Sequence, residues 1–163
     1  MLESNGANEM KLLRETIRRL LRETTYTSAA TQAFVKELSA QTDHQTYDGY
    51  YFEVTSDHPN GCSSYLDMTI EDQTTVWLGN LATHGDQEVC SRKGYAKDML
   101  SKVTQIADKN GITLELLSSS EDPNRISDME LMGFYSQMGF EVIEDMGGTY
   151  GMRRLPLNNR GHK

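Results

Sequence analysis

A mixed α/β sheet is the architecture predicted by this chain of 163 residues. Three observations point to it. Apolar residues recur at helical spacing up to about residue 38 and at strand spacing afterwards, the later strand-like runs are separated by amphipathic helices, and two short β-prone runs close the chain. Strands joined through helices make right-handed crossovers with some parallel pairing, whereas runs joined by short turns must pair antiparallel.

The first expected helix runs from Glu9 to Thr24, with Met10, Leu13, Ile17, Leu20 and Leu21 three and four residues apart and charges on the opposite face. It is expected to pack on its own domain. A second helix, capped by Thr27 or Ser28, carries Ala30, Phe34, Val35 and Leu38 on one stripe. Three strands follow, YDGYYFEV (47–54), SSYLDMTI (63–70) and TTVWLGNLAT (74–83). The break SDHPNG joins the first two as a hairpin, and the third, the most β-prone, belongs at the centre of the sheet.

After the connection HGDQEVCSRK comes the helix YAKDMLSKVTQIADKNG, with Met99, Leu100, Val103 and Ile106 inward and Gly111 as its stop. ITLELLSSS (112–120) reads as a buried strand. SDMELMGFYSQMGF (127–140) reads as a helix capped by Ser127 or Asp128, with Leu131, Met132, Phe134, Tyr135 and Met138 as its stripe and Gly139 as its stop. EVIED (141–145) and TYGMRRL (149–155) form the closing hairpin.

Composition narrows the function classes. A chain of this length removes roughly 70% of its unfolded surface on folding, which suits one domain over 9–155. Residues 1–8 read as an untethered end and 156–163 as a polar tail. No apolar run approaches the ~20 residues of a membrane helix, and MLESNGANEM has no cationic segment leading into an apolar one. A cytoplasmic address is therefore expected, with no membrane partner. Cys62 and Cys90 make no framework and read as free thiols, and the four histidines sit in no metal-binding spacing, so no metal is expected.

Net charge is −8, yet residues 9–24 hold Lys11, Arg14, Arg18, Arg19 and Arg22 against three glutamates, a local +2 that leaves −10 elsewhere. Phosphate backbones require clustered cations, so nucleic acid is disfavoured as a partner of the acidic body. Small cationic amines are the better match.

The succession LATH at a strand end, RKGYA opening a helix, and FYSQMGF after the next strand resembles the GNAT N-acyltransferase superfamily over residues 74–155. Members of that family show an LAV-like strand end, a (Q/R)xxGx(G/A) loop and a YxxxGF-like helix end. The resemblance implies a GNAT-like fold with two N-terminal helices, acetyl-CoA as co-substrate, and a small-molecule or peptide amine as acceptor. It also leaves room for a homodimer.

Residue by residue, the resemblance places Ser91, Arg92, Lys93, Gly94, Tyr95 and Ala96 at the CoA pyrophosphate. The first turn of a helix exposes unpaired N–H donors with partial positive charge, and Gly94, small Ala96 and the two cations favour an anion there. Leu81, Ala82 and Thr83 would offer main-chain groups to the pantetheine arm as if to an added strand. Tyr135 takes the general-acid position, protonating the departing CoA thiolate.

Ser91 stands where the family has Gln or Arg, Thr83 replaces an aliphatic residue, and the connection 84–93 is about three residues longer than usual. That length could reshape the phosphate site or bring Asp86 or Glu88 over the acceptor pocket. Candidate bases are Glu115, Glu88 and His84. Asp128, where the family has Asn near the cofactor, reads better as an N-cap. The leading expectation is an acyl-CoA-dependent N-acetyltransferase. Its alternatives are a degenerate domain of the same fold binding a partner through the basic first helix, and an unrelated α/β domain for another phosphate ligand.

Overall fold

A computed structural model of the chain describes residues 13–17, 28–120 and 126–159. Residues 13–17 (α1) are helical; the rest of the expected first helix, the end 1–8 and the last residues of the tail lie outside the described residues. Leu13 and Ile17 are 52% and 45% exposed, so the expected packing of this stripe on the domain is not met at these two positions.

The elements that follow are α2 (Ala29–Ala40), β1 (His44–Tyr47), β2 (Tyr51–His58), β3 (Cys62–Ile70) and β4 (Thr75–His84). After them come α3 (Gln87–Cys90), α4 (Tyr95–Asn110), β5 (Thr113–Ser118), α5 (Asp128–Gln137), β6 (Glu141–Asp145) and β7 (Tyr150–Arg154). One seven-stranded sheet results, in the order β1-β2-β3-β4-β5-β7-β6. Only β4 and β5 pair in parallel; every other neighbour is antiparallel. The mixed sheet and the central place of β4 are as the sequence predicts.

Two expected boundaries shift. The run 47–54 is not one strand: Tyr47 ends β1, the chain turns at Asp48 and Gly49, and β2 begins at Tyr51. Gly49 takes φ +99°, and the Asp48 carboxylate accepts the Tyr51 N–H at 3.1 Å, so an Asp-Gly turn holds the β1–β2 hairpin. The connection 84–93 is not a plain loop, because Asp86 caps the one-turn helix α3 by accepting the N–H groups of Glu88 and Val89.

Strand alternation builds the core. Phe52 and Val54 on β2, Leu66 and Met68 on β3, Val76 and Leu78 on β4, and Leu114 and Leu116 on β5 are buried. They meet Phe34 and Leu38 of α2 and Met99, Leu100, Val103 and Ile106 of α4 in one cluster. Ser28 caps α2, and Gly111 ends α4 in the left-handed conformation expected of it.

One buried ion pair fastens the second half of the sheet to the helices. Arg154 of β7 donates to both Asp108 carboxylate oxygens of α4 at 2.7 Å and, through Nε, to the Met138 carbonyl at the end of α5. Its side chain is 7% exposed. Removing one partner leaves a desolvated charge, whereas replacing both by apolar groups removes the penalty along with the attraction. Asp108→Ala should therefore lose about 3–5 kcal/mol of unfolding free energy. Asp108→Leu combined with Arg154→Met should lose clearly less, a comparison that urea denaturation makes directly.

Candidate functional site

The parallel pairing of β4 with β5 covers only Thr75–Leu78 against Thr113–Leu116, although β4 continues to His84 and β5 to Ser118. On its other side β4 remains paired with β3 through His84. From Gly79 onward the β5-facing edge of β4 thus has no strand partner among the described residues, and its N–H and C=O groups can meet an extended ligand. Leu81, Ala82 and Thr83 lie in this stretch, the first two half-buried and Thr83 exposed.

An irregularity marks where the opening begins. Register between β3 and β4 shifts between Leu66 and Met68, opposite Gly79 and Asn80. The Asp67 carboxylate fills the space, accepting the Asn80 backbone N–H and side-chain amide, both at 3.1 Å. A Cβ on Gly79 would come within 1.8 Å of Asp67 Oδ1, so a side chain there would displace that carboxylate.

At the carboxyl end of β4 the chain passes through α3 to α4. Gly94 occupies the N-cap position at φ +82°, a conformation that favours glycine, and no side chain caps the helix. Asp98 is the first residue whose N–H finds a helical acceptor, the Gly94 carbonyl. The amides of Tyr95, Ala96 and Lys97 precede it at the positive end of the helix dipole. Arg92 is also left-handed at φ +58°, and Arg92, Lys93 and Gly94 are exposed, so both cations stand beside the uncapped turn. Ser91 serves as the C-cap of α3.

The two cysteines correct the sequence reading: they are not free thiols but form a disulfide, with Cα atoms 5.6 Å apart. Their separation of 28 residues closes a loop whose restriction of the unfolded chain is worth roughly 3–4 kcal/mol. Gly85 makes room for the bond, since a Cβ there would lie 2.6 Å from Cys90 Sγ and 3.0 Å from the Gly61 carbonyl oxygen.

Tyr135 lies near the end of α5, 8% exposed, with its ring edge-on to Phe134 and Phe140. Burial pushes its phenol up to about 12, so it is held protonated at neutral pH. Its ring neighbours lie at the end of the same helix, and it belongs to the core cluster that includes Val76 and Leu78 of β4 and Met99 and Leu100 of α4. Ser127, not Asp128, caps α5, in a capping box with Glu130. Asp128 instead ties the connection after β5 to the last hairpin, accepting from Ser120 N–H at 2.6 Å and from the Thr149 hydroxyl at 3.4 Å.

The base candidates fare unequally. Glu115 is occupied by Arg153 at 2.7 Å, Glu88 is exposed in the first turn of α3, and His84 meets the Tyr65 ring edge-on at the end of β4. The sequence reading missed a better-connected carboxylate. Glu53 accepts the phenols of Tyr51 at 2.7 Å and Tyr65 at 2.9 Å, directly opposite Asp67 on β3. Both phenols are held above their ordinary range, Tyr51 first by its bond to Glu53 and Tyr65 first by desolvation. Alternation puts all four side chains on one face, but only the register brings the strands' residues opposite one another. Farther along that face, Glu71, Asp72, Trp77, Glu115 and Arg153 line a groove of about 730 Å³, toward the amino ends of β4 and β5 and away from the opening.

A mixed seven-stranded sheet, one parallel pair that opens, and an uncapped helix at its carboxyl end make up the architecture that the sequence resemblance implied. The fold is GNAT-like. No family model matches the chain, and no curated protein does. Among solved structures it is similar to the anti-CRISPR protein AcrVA5, at 22% identity and a TM-score of 0.47 over 62% of this chain and 96% of the other. It is also similar to the PaiA N-acetyltransferase of Thermoplasma acidophilum in complex with coenzyme A, at 17% and 0.46 over 77% and 68%. Ard1 of Thermoplasma volcanium stands at 15% and 0.47 over 83% and 91%.

The position of Tyr135 has a measurable consequence. A phenol near 10 in the unfolded chain and about 12 in the fold stabilises the protein fully below pH 10, and that contribution disappears as pH rises through 12. Relative to Tyr135→Phe, the wild type should lose about 2–3 kcal/mol across this window. Denaturant titrations at pH 9 and at pH 11 to 12 would expose it; parallel pH curves would mean that the phenol is not shielded.

Proposed function

We propose that the protein is an acyl-CoA-dependent N-acyltransferase, moving an acyl group, acetyl in the simplest case, from its CoA thioester to a primary amine. The observation that carries this reading is the uncapped first turn of α4 at left-handed Gly94, placed where β4 leaves its parallel partner. A pyrophosphate suits the free amides and the Arg92 and Lys93 charges, and a pantetheine arm suits the unpaired edge at Leu81, Ala82 and Thr83. Ser91, Tyr95 and Ala96 complete the expected cradle.

In this reading the neutral amine nitrogen attacks the thioester carbonyl directly and the C–S bond breaks; the nitrogen gives up its extra proton to solvent, and the thiolate leaves with a proton supplied by the protein. Tyr135 is the proposed donor, and its raised pKa keeps the proton on the phenol until it is needed. Alignment of the two substrates can lower the barrier by about 7–11 kcal/mol, and backbone N–H groups of the β4 edge suit the oxyanion. Glu53 and Asp67 give the acidic face that a protonated amine, free or on a peptide, would favour. Nucleic acid and membrane are not the partners proposed; no described helix is long and apolar enough to cross a membrane.

A cytoplasmic address stands less well with the structure, because disulfides persist in oxidising surroundings and are rare where thiol pools stay reduced. One observation favours the second reading, an interaction module using the basic first helix: Leu13 and Ile17 are left exposed there.

Thermal denaturation separates the two. Acetyl-CoA at a hundredfold excess over its dissociation constant should stabilise the protein by about 2.7 kcal/mol, a rise on the order of 5–10 °C, while ATP should not. No shift with acetyl-CoA would leave the interaction module standing. With an amine panel and a thiol-release assay, Tyr135→Phe should keep the shift and lose roughly 10²–10⁴ in turnover. Unchanged turnover would remove the phenol from the chemistry.

A further inference from the structure

The four exposed-to-half-buried residues Ser91, Arg92, Lys93 and Gly94 are bracketed by Cys90 and Tyr95, and both brackets are held by the same rung of the β2–β3 hairpin. Cys90 is bonded to Cys62. The Tyr95 ring lies flat on His58, with centroids 3.9 Å apart and planes 6° from parallel. His58 and Cys62 are themselves cross-strand partners, the last pair before the turn Pro59–Gly61. His58 is steadied from the sheet by a 2.8 Å hydrogen bond between Nε2 and the Ser64 hydroxyl. Inside the loop lies the single turn of α3 with its Asp86 cap.

We propose that the tip of the β2–β3 hairpin is a redox-sensitive clamp that positions the Ser91–Gly94 cradle, so that acyl-CoA binds most tightly to the disulfide form. The inference rests on the cofactor reading given above for that cradle. Its physical basis is preorganisation. Two departures into left-handed backbone two residues apart, at Arg92 and Gly94, aim the α4 amides in one direction only while the chain on both sides is fixed.

Opening the clamp is thiol–disulfide exchange with a dithiol. One thiolate of the dithiol attacks a sulfur of the Cys62–Cys90 bond to give a mixed disulfide. Its second thiol then displaces the protein sulfur, so the dithiol is oxidised to its cyclic disulfide as both cysteines become thiols. The His58–Tyr95 stack then remains but the covalent tie to Cys62 is gone, and bound cofactor must complete the ordering of residues 85–94 as it binds. A loss of affinity on the order of tenfold follows.

The experiment measures acetyl-CoA affinity by calorimetric titration, with kcat and KM on an accepted amine, for the oxidised full-length chain and for the same protein reduced by dithiothreitol. Free thiols are counted in both by alkylation and mass measurement. The clamp predicts about a tenfold higher Kd and KM for acetyl-CoA after reduction, with kcat at saturation unchanged and recovery on reoxidation. A Cys62→Ser, Cys90→Ser double variant should match the reduced form and ignore dithiothreitol. Should that variant fail to fold, His58→Ala tests the other hold: affinity should fall, and His58→Phe, which keeps a flat ring, should restore most of it. Equal affinity in the oxidised and reduced proteins overturns the clamp, as does finding both thiols free in the oxidised preparation. Absence of binding in either form overturns the cofactor reading instead. The clamp is then decided by amide hydrogen exchange at residues 91–97, where faster exchange after reduction sustains it and unchanged exchange removes it.

Discussion

The rest of the molecule depends on β4 and β5 pairing for four residues and no more. Parallel strands ordinarily use both edges of their backbone, and an edge without a partner invites association with any extended chain. Here the unpaired length begins just where a bulge, filled by the Asp67 carboxylate, unsettles the β3–β4 register. It ends at the turn into α3 and α4. The edge of β4 without a strand partner, the two cations before Gly94 and the exposed amides of α4 therefore follow one another along the chain, with α3 between the first and the second.

Holding this opening requires the elements around it to stay in place without touching it. Arg154 does so at the back, drawing β7, α4 and α5 to one guanidinium that bonds Asp108 and the Met138 carbonyl. Glu37 of α2 does so at the far end of α4, accepting from Lys109 at 2.7 Å and from Asn110 at 3.2 Å. These bonds hold its carboxyl below the usual carboxylate range. The pair is well exposed on the lysine side, so its contribution is registration of two helices more than stability.

Much of this was legible in the residue order, because the features that announce themselves locally are those that use local physics. Gly111 stops α4 and Ser127 starts α5 through bonds to residues three or four away. Leu81 to Thr83 and Gly94 fall at element ends that the change of hydrophobic period marks. What escaped needed long range or too few residues. β1 is exposed at all four positions and has no alternation to detect. α3 is a single turn of four residues, so a helical period has no room to repeat in it. The Cys62–Cys90 bond depends on a hairpin tip and a post-strand loop meeting in space, and nothing at 28 residues' separation signals that. Glu53 was passed over for the same reason, since its phenol partners include Tyr65 on the neighbouring strand.

The two faces of β2 and β3 divide their labour by parity. Phe52, Val54, Leu66 and Met68 point into the core, while Tyr51, Glu53, Tyr65 and Asp67 alternate with them toward the other side. A substitution at Tyr51, Glu53 or Tyr65 alters what the surface attracts and leaves the packing against α2 and α4 intact. Descendants of this chain could thus change what this face attracts by single steps, each variant still folding, with the scaffold inherited whole.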